Sequence, residues 1–350
     1  MIAPIISINE TSLIPELAIL GFFALGGFLL SMLLTPLYTY FAYKNEWWRK
    51  VRTTAVDGKA APIFHKLHAE KHKRHIPTMA GLVILISVSL ITLIFNFDRA
   101  QTWLPLFSLI TIGLLGLTDD YMNVKNLTNK SGGLTAKAQI IWLSLFAALG
   151  SYWFYFKLGY NTIHIPAWGN LYIGWLMIPL FIAVFFATSK SVGITDGLDG
   201  LSGGLLMFAY GAFGVIALFG GNYGIAAFCV TVVGVMLTYT WFNIFPARFF
   251  MGNSGSISLG ATLGVIAMLL NSVFVLPIIG FVFFAEAASS ALQLASKKVL
   301  KRKIFLSAPI HHHFEAIGWP ETKVTMRFWI IGAITAFMGV VIALIGRGPQ

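Results

Sequence analysis

Charge is what this 350-residue chain has least of: 11% of its residues are Asp, Glu, Lys or Arg, and only 13 are acids. A water-soluble domain carries about a quarter charged residues, so the composition excludes an ordinary soluble enzyme and leaves little room for a separate soluble domain. Cysteine is nearly absent. The single Cys229 stands inside an apolar run, which rules out a disulfide framework. Repeats of 20–50 residues are absent. The first long apolar stretch lacks a basic leading region and a cleavage site, so it reads as a retained helix rather than a signal peptide.

What is present is apolar. Hydrophobic residues make up 57% of the chain and the mean hydropathy is +0.79. The apolar runs are continuous rather than alternating, which favours helices over barrel strands. Ten runs are long enough to span a bilayer: 14–38, 78–97, 103–119, 136–156, 171–189, 201–219, 223–242, 257–272, 274–295 and 327–346. The expected fold class is an all-α polytopic membrane protein of about ten transmembrane helices, forming one domain over residues 1–350.

Basic residues orient this stack. Of the 24 Lys and Arg, all but Arg99, Lys157 and Arg347 follow odd-numbered runs. The positive-inside rule makes those loops cytoplasmic, about 42–77, 119–135, 189–201, 243–256 and 296–326, and puts both termini outside. The net charge of +11 is then a membrane-orientation signal, and no nucleic-acid partner is expected. The basic, His-rich loop Lys44–Ile76 also suits an electrostatic anchor to anionic lipid.

Four scarce acids fall on that side, Asp119 and Asp120 in LTDD and Asp196 and Asp199 in TDGLDG. Carboxylates beside a bilayer are costly unless they bind a cation or face a wet cavity, which points to a divalent metal at a membrane-embedded catalytic site. Asp119-Asp120 are expected to end the third helix. One could hold a metal while the other orients or deprotonates a nucleophile; the plainer alternative, a helix-end pair at the interface, opposes the macrodipole. Asp196 and Asp199, three apart, are expected on one helical face, with glycines that let backbone approach a ligand. Mg²⁺ takes one or two carboxylates plus phosphate oxygens, and an N-cap role for Asp196 is the structural alternative. In the stretch from Asn243 to Ser256, glycines and hydroxyls near a helix start can present N–H groups to phosphate, and Phe249 or Phe250 can stack on a base or contact lipid. His311, His312 and His313 are adjacent, so they do not converge on one ion; phosphate contact or proton handling suits them better than zinc. Glu286, deep in an apolar run, has Ser289, Ser290 and Gln293 nearby to satisfy it within the bundle.

PTMAG (77–81), LTDDY (117–121), GLTAK (133–137), TDGLDGL (195–201), FNIFPARFFMGNSGS (242–256) and APIHHHFE (308–315), in this order, resemble the phospho-N-acetylmuramoyl-pentapeptide-transferase family. That family is a branch of the polyprenyl-phosphate N-acetylhexosamine-1-phosphate transferases. The match spans 73–330, and HHHFE with the following GWPETKVTMRFW favours the muramoyl branch. The resemblance implies transfer of phospho-N-acetylmuramoyl-pentapeptide from its UDP carrier to undecaprenyl phosphate in a bacterial cytoplasmic membrane. It further implies lipid I and UMP as products, Mg²⁺ as cofactor and a homodimer as assembly. Residue by residue, it implies that Asp119 and Asp120 activate the lipid phosphate. Lys73, Thr78, Asp196, Asp199, Phe250, Gln293 and Ala308 match positions around the nucleotide, with Phe250 as uracil platform. Lys137 matches a basic residue near the phosphates, Asp199 and the three histidines match residues needed for activity, and Asp196 and position 253 match the metal site.

The chain departs from the family pattern at several of these places. Asn253 stands where the family has a metal-binding Asp, Lys190 and Gly193 replace two asparagines, Ala80 replaces a glycine, and Gln139 replaces a second basic residue. An amide keeps one carbonyl oxygen but loses the charge, which weakens Mg²⁺ binding. The alternatives are a transferase specific for N-acetylglucosamine-1-phosphate, a weakened paralogue that binds without turnover, and a transporter. The last would place acids near the bilayer midplane rather than at helix ends.

Overall fold

The structure is a computed structural model and describes residues 10–48, 75–125 and 133–346. Lys73, with His65, His68 and His72, lies outside the described residues. The helices are α1 (Glu10–Lys44), α2 (Gly81–Phe95), α3 (Trp103–Lys125), α4 (Ala136–Tyr152), α5 (Met177–Thr195), α6 (Leu201–Phe219), α7 (Tyr223–Asn243) and α8 (Gly252–Leu269). The short α9 (Leu276–Ile279), then α10 (Phe281–Val299), the short α11 (Ile310–Ala316) and α12 (Glu321–Gly346) complete the bundle. Among the described residues, 8 helical stretches are long and apolar enough to cross a membrane. The other two expected spans are helical as well: α2 is apolar but only 15 residues long, and α10 buries Glu286, Ser289, Gln293 and Ser296 on one face. The protein is an all-α polytopic membrane protein, as its composition requires.

Three boundaries differ from the sequence expectation. The run 171–189 begins in a hairpin: β1 (Thr162–Ile165) pairs antiparallel with β2 (Gly169–Tyr172), Thr162 opposite Tyr172. Asn170 and Gly174 interrupt the helical pattern there, and Gly174 has a φ of +54°, a conformation that favours glycine. The run 274–295 breaks at Gly280 into α9 and α10. The run 257–272 starts earlier, so Gly252-Asn253-Ser254-Gly255-Ser256 is the first turn of α8, not a loop.

Helix α8 is the axis of the bundle. Every one of its residues except Asn253 is buried, and α3, α5, α2 and α6 pack around it. Lipid removes most of the hydrophobic drive between helices, so small residues and close backbone approach hold such bundles together. The sequence of α8, GNSGSISLGATLG, supplies them. A Cβ on Gly116 of α3 would sit 2.5 Å from the Asn253 backbone, and a Cβ on Gly260 2.6 Å from the Thr188 carbonyl of α5. Leu and Phe side chains instead cover the lipid-facing rim, as at Leu33 of α1 and Phe337 of α12. Because the long helices alternate in direction, the C-terminal ends of α1, α3, α5, α7 and α10 meet the N-terminal ends of α2, α4, α6, α8 and α12. All the motifs are gathered at that one end.

Candidate active site

Asp119 and Asp120 do not end their helix. α3 continues to Lys125, so both carboxylates lie inside it and are buried, Asp120 completely. Helix C-terminal repulsion therefore does not describe them. Asp120 instead faces the N-terminus of α8: Oδ1 accepts the Asn253 N–H at 3.1 Å and Oδ2 the Ser254 N–H at 3.0 Å. The first N–H groups of a helix have no internal partners and carry the positive end of its dipole. A carboxylate from a neighbouring helix satisfies both needs. Gly252, with a φ of +72°, makes the entry turn into α8, and a Cβ there would collide with Asp120 and come within 2.9 Å of Thr78 Oγ1. Thr78 is thereby placed beside Asp120. Its own backbone is fixed by a bond to the Trp47 carbonyl at 2.7 Å and by the Tyr38 hydroxyl at 2.7 Å.

Asp119 looks the other way. Oδ1 accepts Leu134 N at 2.7 Å and Gln139 Nε2 at 3.1 Å, and Oδ2 accepts Asn253 Nδ2. The adjacent pair is split between two jobs, as side chains one residue apart on a helix must be. Lys137, in the first turn of α4, is exposed.

The TDGLDG motif is also not a helical face. Thr195 ends α5, Leu201 begins α6, and Asp196–Gly200 is the tight link between them, with Gly200 at a φ of +77°. Asp196 is therefore a C-terminal rather than an N-terminal capping residue; its Oδ1 accepts the Ser202 hydroxyl at 2.6 Å. Asp199 is buried and its Oδ2 accepts Ala247 N at 3.0 Å. Four residues outside the motif hold the link: Glu321 Oε1 accepts Asp199 N at 2.6 Å, Asn243 Oδ1 accepts Gly200 N at 2.9 Å, Thr325 Oγ1 donates to the Asp199 carbonyl and Trp329 Nε1 to that of Gly200. No spacing rule singles these out, because their partners are backbone atoms more than 40 residues away.

The histidine triplet makes the first turn of α11; the His311 and His312 rings meet edge to face at 4.1 Å between centroids, yet each of the three binds a different partner. His311 Nδ1 is 2.9 Å from Glu286 Oε2, His312 Nδ1 is 2.7 Å from Glu315 Oε2, and His313 Nδ1 accepts Leu306 N at 3.2 Å. One oxygen of Glu286 is thus paired with His311 rather than with Ser289, whose hydroxyl bonds a main-chain carbonyl, while Oε1 has no partner among the described residues. His311 Nε2 has no hydrogen-bond partner among the described residues and lies over Gly197, where a Cβ would come within 2.5 Å of it. That approach joins the histidine loop to TDGLDG. Gln293 spends its amide on the segment after α10, donating to the Phe305 carbonyl and accepting from Ile304 N and Phe305 N. Ala308, in the same segment, is half-buried. Of the two phenylalanines, Phe249 is a core residue with ring centroids 5.4 Å from Tyr38 and 5.6 Å from Phe242. Phe250 remains half-buried, its backbone paired with Pro77 and Ala80.

Known proteins resemble the chain over most of its length. The Glycosyl transferase family 4 profile matches residues 102–271. A phospho-N-acetylmuramoyl-pentapeptide-transferase of Chloroflexus aggregans is 35% identical, covering 98% of this chain and 95% of its own. One from Geobacillus sp. (strain WCH70) is 36% identical, covering 90% of this chain and 95% of its own. The chain belongs to the phospho-N-acetylmuramoyl-pentapeptide-transferase family.

Within this family Mg²⁺ is the expected cofactor, and the donors can be tested for it. At position 253 they do not fit. A carboxylate only accepts hydrogen bonds, so the amide face turned toward Asp119 is necessarily the nitrogen, and the space between the two side chains is bridged by an N–H. Among the described residues no three His, Cys, Asp or Glu side chains converge as a metal cage.

Proposed function

We propose that this chain transfers phospho-N-acetylmuramoyl-pentapeptide from UDP to undecaprenyl phosphate, releasing UMP and lipid I at the cytoplasmic face of a bacterial membrane. Family membership supplies the reaction. The observation that carries the reading is the meeting at one bundle end of Asp119-Asp120, the TDGLDG link, the start of α8 and the histidine loop. Basic residues crowd the same end, which the positive-inside rule assigns to the cytoplasm, with both termini outside. An anionic nucleotide sugar made in the cytoplasm would be drawn to it.

Phosphoryl transfer depends on positioning and charge neutralisation rather than on covalent work by the protein. In this reading Phe250 stacks on the uracil, and Asp196 with the TDGLDG backbone orients the nucleotide. Lys137 and, in the loop outside the described residues, Lys73 attract its phosphates. The prenyl phosphate enters beside Asp119, whose carboxylate aligns it for attack on the β-phosphate. His311, whose Nδ1–H is accepted by Glu286, holds its Nε2 against Gly197 as a proton acceptor beside the nucleotide link. Mg²⁺ bound to the pyrophosphate would supply further charge neutralisation there, and Asn253 would offer it an amide oxygen but no carboxylate. Purified protein given UDP-N-acetylmuramoyl-pentapeptide tests the reading: UMP release should require undecaprenyl phosphate and rise in proportion to it. UMP release that ignores the lipid would point to hydrolysis, and none at all to a binding protein.

A further inference from the structure

Three of the positions at which this chain leaves its family's pattern are joined to one another in space. Lys190 Nζ donates to Gln139 Oε1 at 3.3 Å, Gln139 Nε2 donates to Asp119 Oδ1 at 3.1 Å, and Asn253 Nδ2 donates to Asp119 Oδ2. Both amides are fixed in orientation, because an ammonium only donates and a carboxylate only accepts. The row Lys190–Gln139–Asp119–Asn253 therefore alternates donor and acceptor without a conflict. It holds one positive and one negative charge. With a carboxylate at 253 and no lysine at 190, it would hold two facing carboxylates, an arrangement that calls for a divalent cation.

We propose that Lys190 is a resident cation: with the amides of Gln139 and Asn253 it replaces a divalent ion beside Asp119 and makes this a metal-independent phosphate subsite. This rests on the reading that Asp119 faces a phosphate. Lys190 suits the role because it is half-buried near the C-terminal end of α5, and Gln139 takes one of its donors, leaving two of an ammonium's three. Low local dielectric strengthens such a charge toward a phosphate. The ligand class is a phosphate ester, either the prenyl monophosphate or the pyrophosphate of the nucleotide sugar.

Mn²⁺ binding followed by electron paramagnetic resonance tests the metal side directly. The wild-type protein should show no saturable Mn²⁺ site at micromolar concentration, and the double variant Lys190→Asn with Asn253→Asp should gain one. Thermal unfolding provides a second reading: Asn253→Asp alone should be less stable in EDTA and recover with Mg²⁺, while wild type is indifferent. For the phosphate side, undecaprenyl phosphate and UMP are titrated separately in EDTA and in Mg²⁺. Wild type should bind one of them with affinities within about twofold in the two buffers, and that ligand names the source. Lys190→Gln should weaken the same ligand by about tenfold. A micromolar Mn²⁺ site in wild type, or undiminished phosphate binding by Lys190→Gln, would overturn the proposal, as would failure of wild type to bind either ligand without metal. Metal-independent phosphate binding without UMP release would support it while removing the transferase reading.

Discussion

Replacing Asp120 with alanine separates a structural from a purely chemical role for the acid pair. Both Asp120 oxygens accept main-chain N–H groups of Asn253 and Ser254, in a site with no measurable exposure. Alanine leaves those two donors buried and unpaired, at about 1–3 kcal/mol each, and removes a negative charge from the N-terminus of α8, worth about 0.3–2 kcal/mol. Allowing for relaxation, the loss should be about 3–5 kcal/mol, or roughly 4–7 °C in melting temperature for a chain of this length. Asparagine keeps one acceptor and should lose about half as much. Asp119→Ala should cost less than Asp120→Ala, because two of its three partners are side-chain amides of Gln139 and Asn253 that can rotate. The protein carries its own reporter: Cys229 is its single cysteine and is buried in α7, so a thiol-reactive dye reads unfolding in detergent. Equal melting temperatures for wild type and Asp120→Ala would refute the claim that Asp120 anchors α8, whatever happens to activity.

Other substitutions probe the remaining contacts. Gly197→Ala drives a methyl group to 2.5 Å from His311 Nε2; a displacement near an ångström should lower kcat on the order of 10–100-fold with little change in melting temperature, and wild-type turnover would show that the His311–Gly197 contact is idle. Glu286→Leu removes the acceptor for His311 Nδ1 and should destabilise by about 1–3 kcal/mol, whereas Glu286→Gln, which keeps an acceptor, should recover most of the melting temperature. Gln293→Ala releases three backbone bonds to residues 304 and 305, so trypsin should cut at the exposed Lys301–Lys303 about tenfold faster or more. Unchanged cleavage would mean that Gln293 does not latch the segment. In the transfer assay, Asn253→Asp should make UMP release more sensitive to EDTA than it is in wild type, and equal sensitivity would argue against a metal contact by the new carboxylate.

Much of the architecture was legible because the bilayer makes it so. Chains in lipid must satisfy backbone groups internally, and long apolar runs with one-sided lysine and arginine leave few solutions. Helix ends were the weak point. Tyr121–Lys125 is polar, so α3 was expected to stop at Asp119, yet it continues because this end of the bundle packs on α8 and no longer needs apolar side chains. Asp196 and Asp199 were spaced for one helical face, but Gly197 and Gly200 turn the segment into a link. The site residues were found as motifs, whereas their supports were not. Glu286 reads as a lone intramembrane acid until α11 brings His311 against it, and Asn243, Glu321 and Trp329 act on main-chain atoms, which leave no mark in sequence spacing. Lys190, Gln139 and Asn253 stood as three separate departures; only the fold shows that they form one row.

The identity of the transferred group decides between the two sugar phosphates. Protein reconstituted with undecaprenyl phosphate and equal concentrations of UDP-N-acetylmuramoyl-pentapeptide and UDP-N-acetylglucosamine should yield one lipid product by mass spectrometry. The expected product is undecaprenyl pyrophosphate carrying N-acetylmuramoyl-pentapeptide, with one UMP released per lipid formed. A product bearing N-acetylglucosamine, or UMP with no glycolipid, would contradict it.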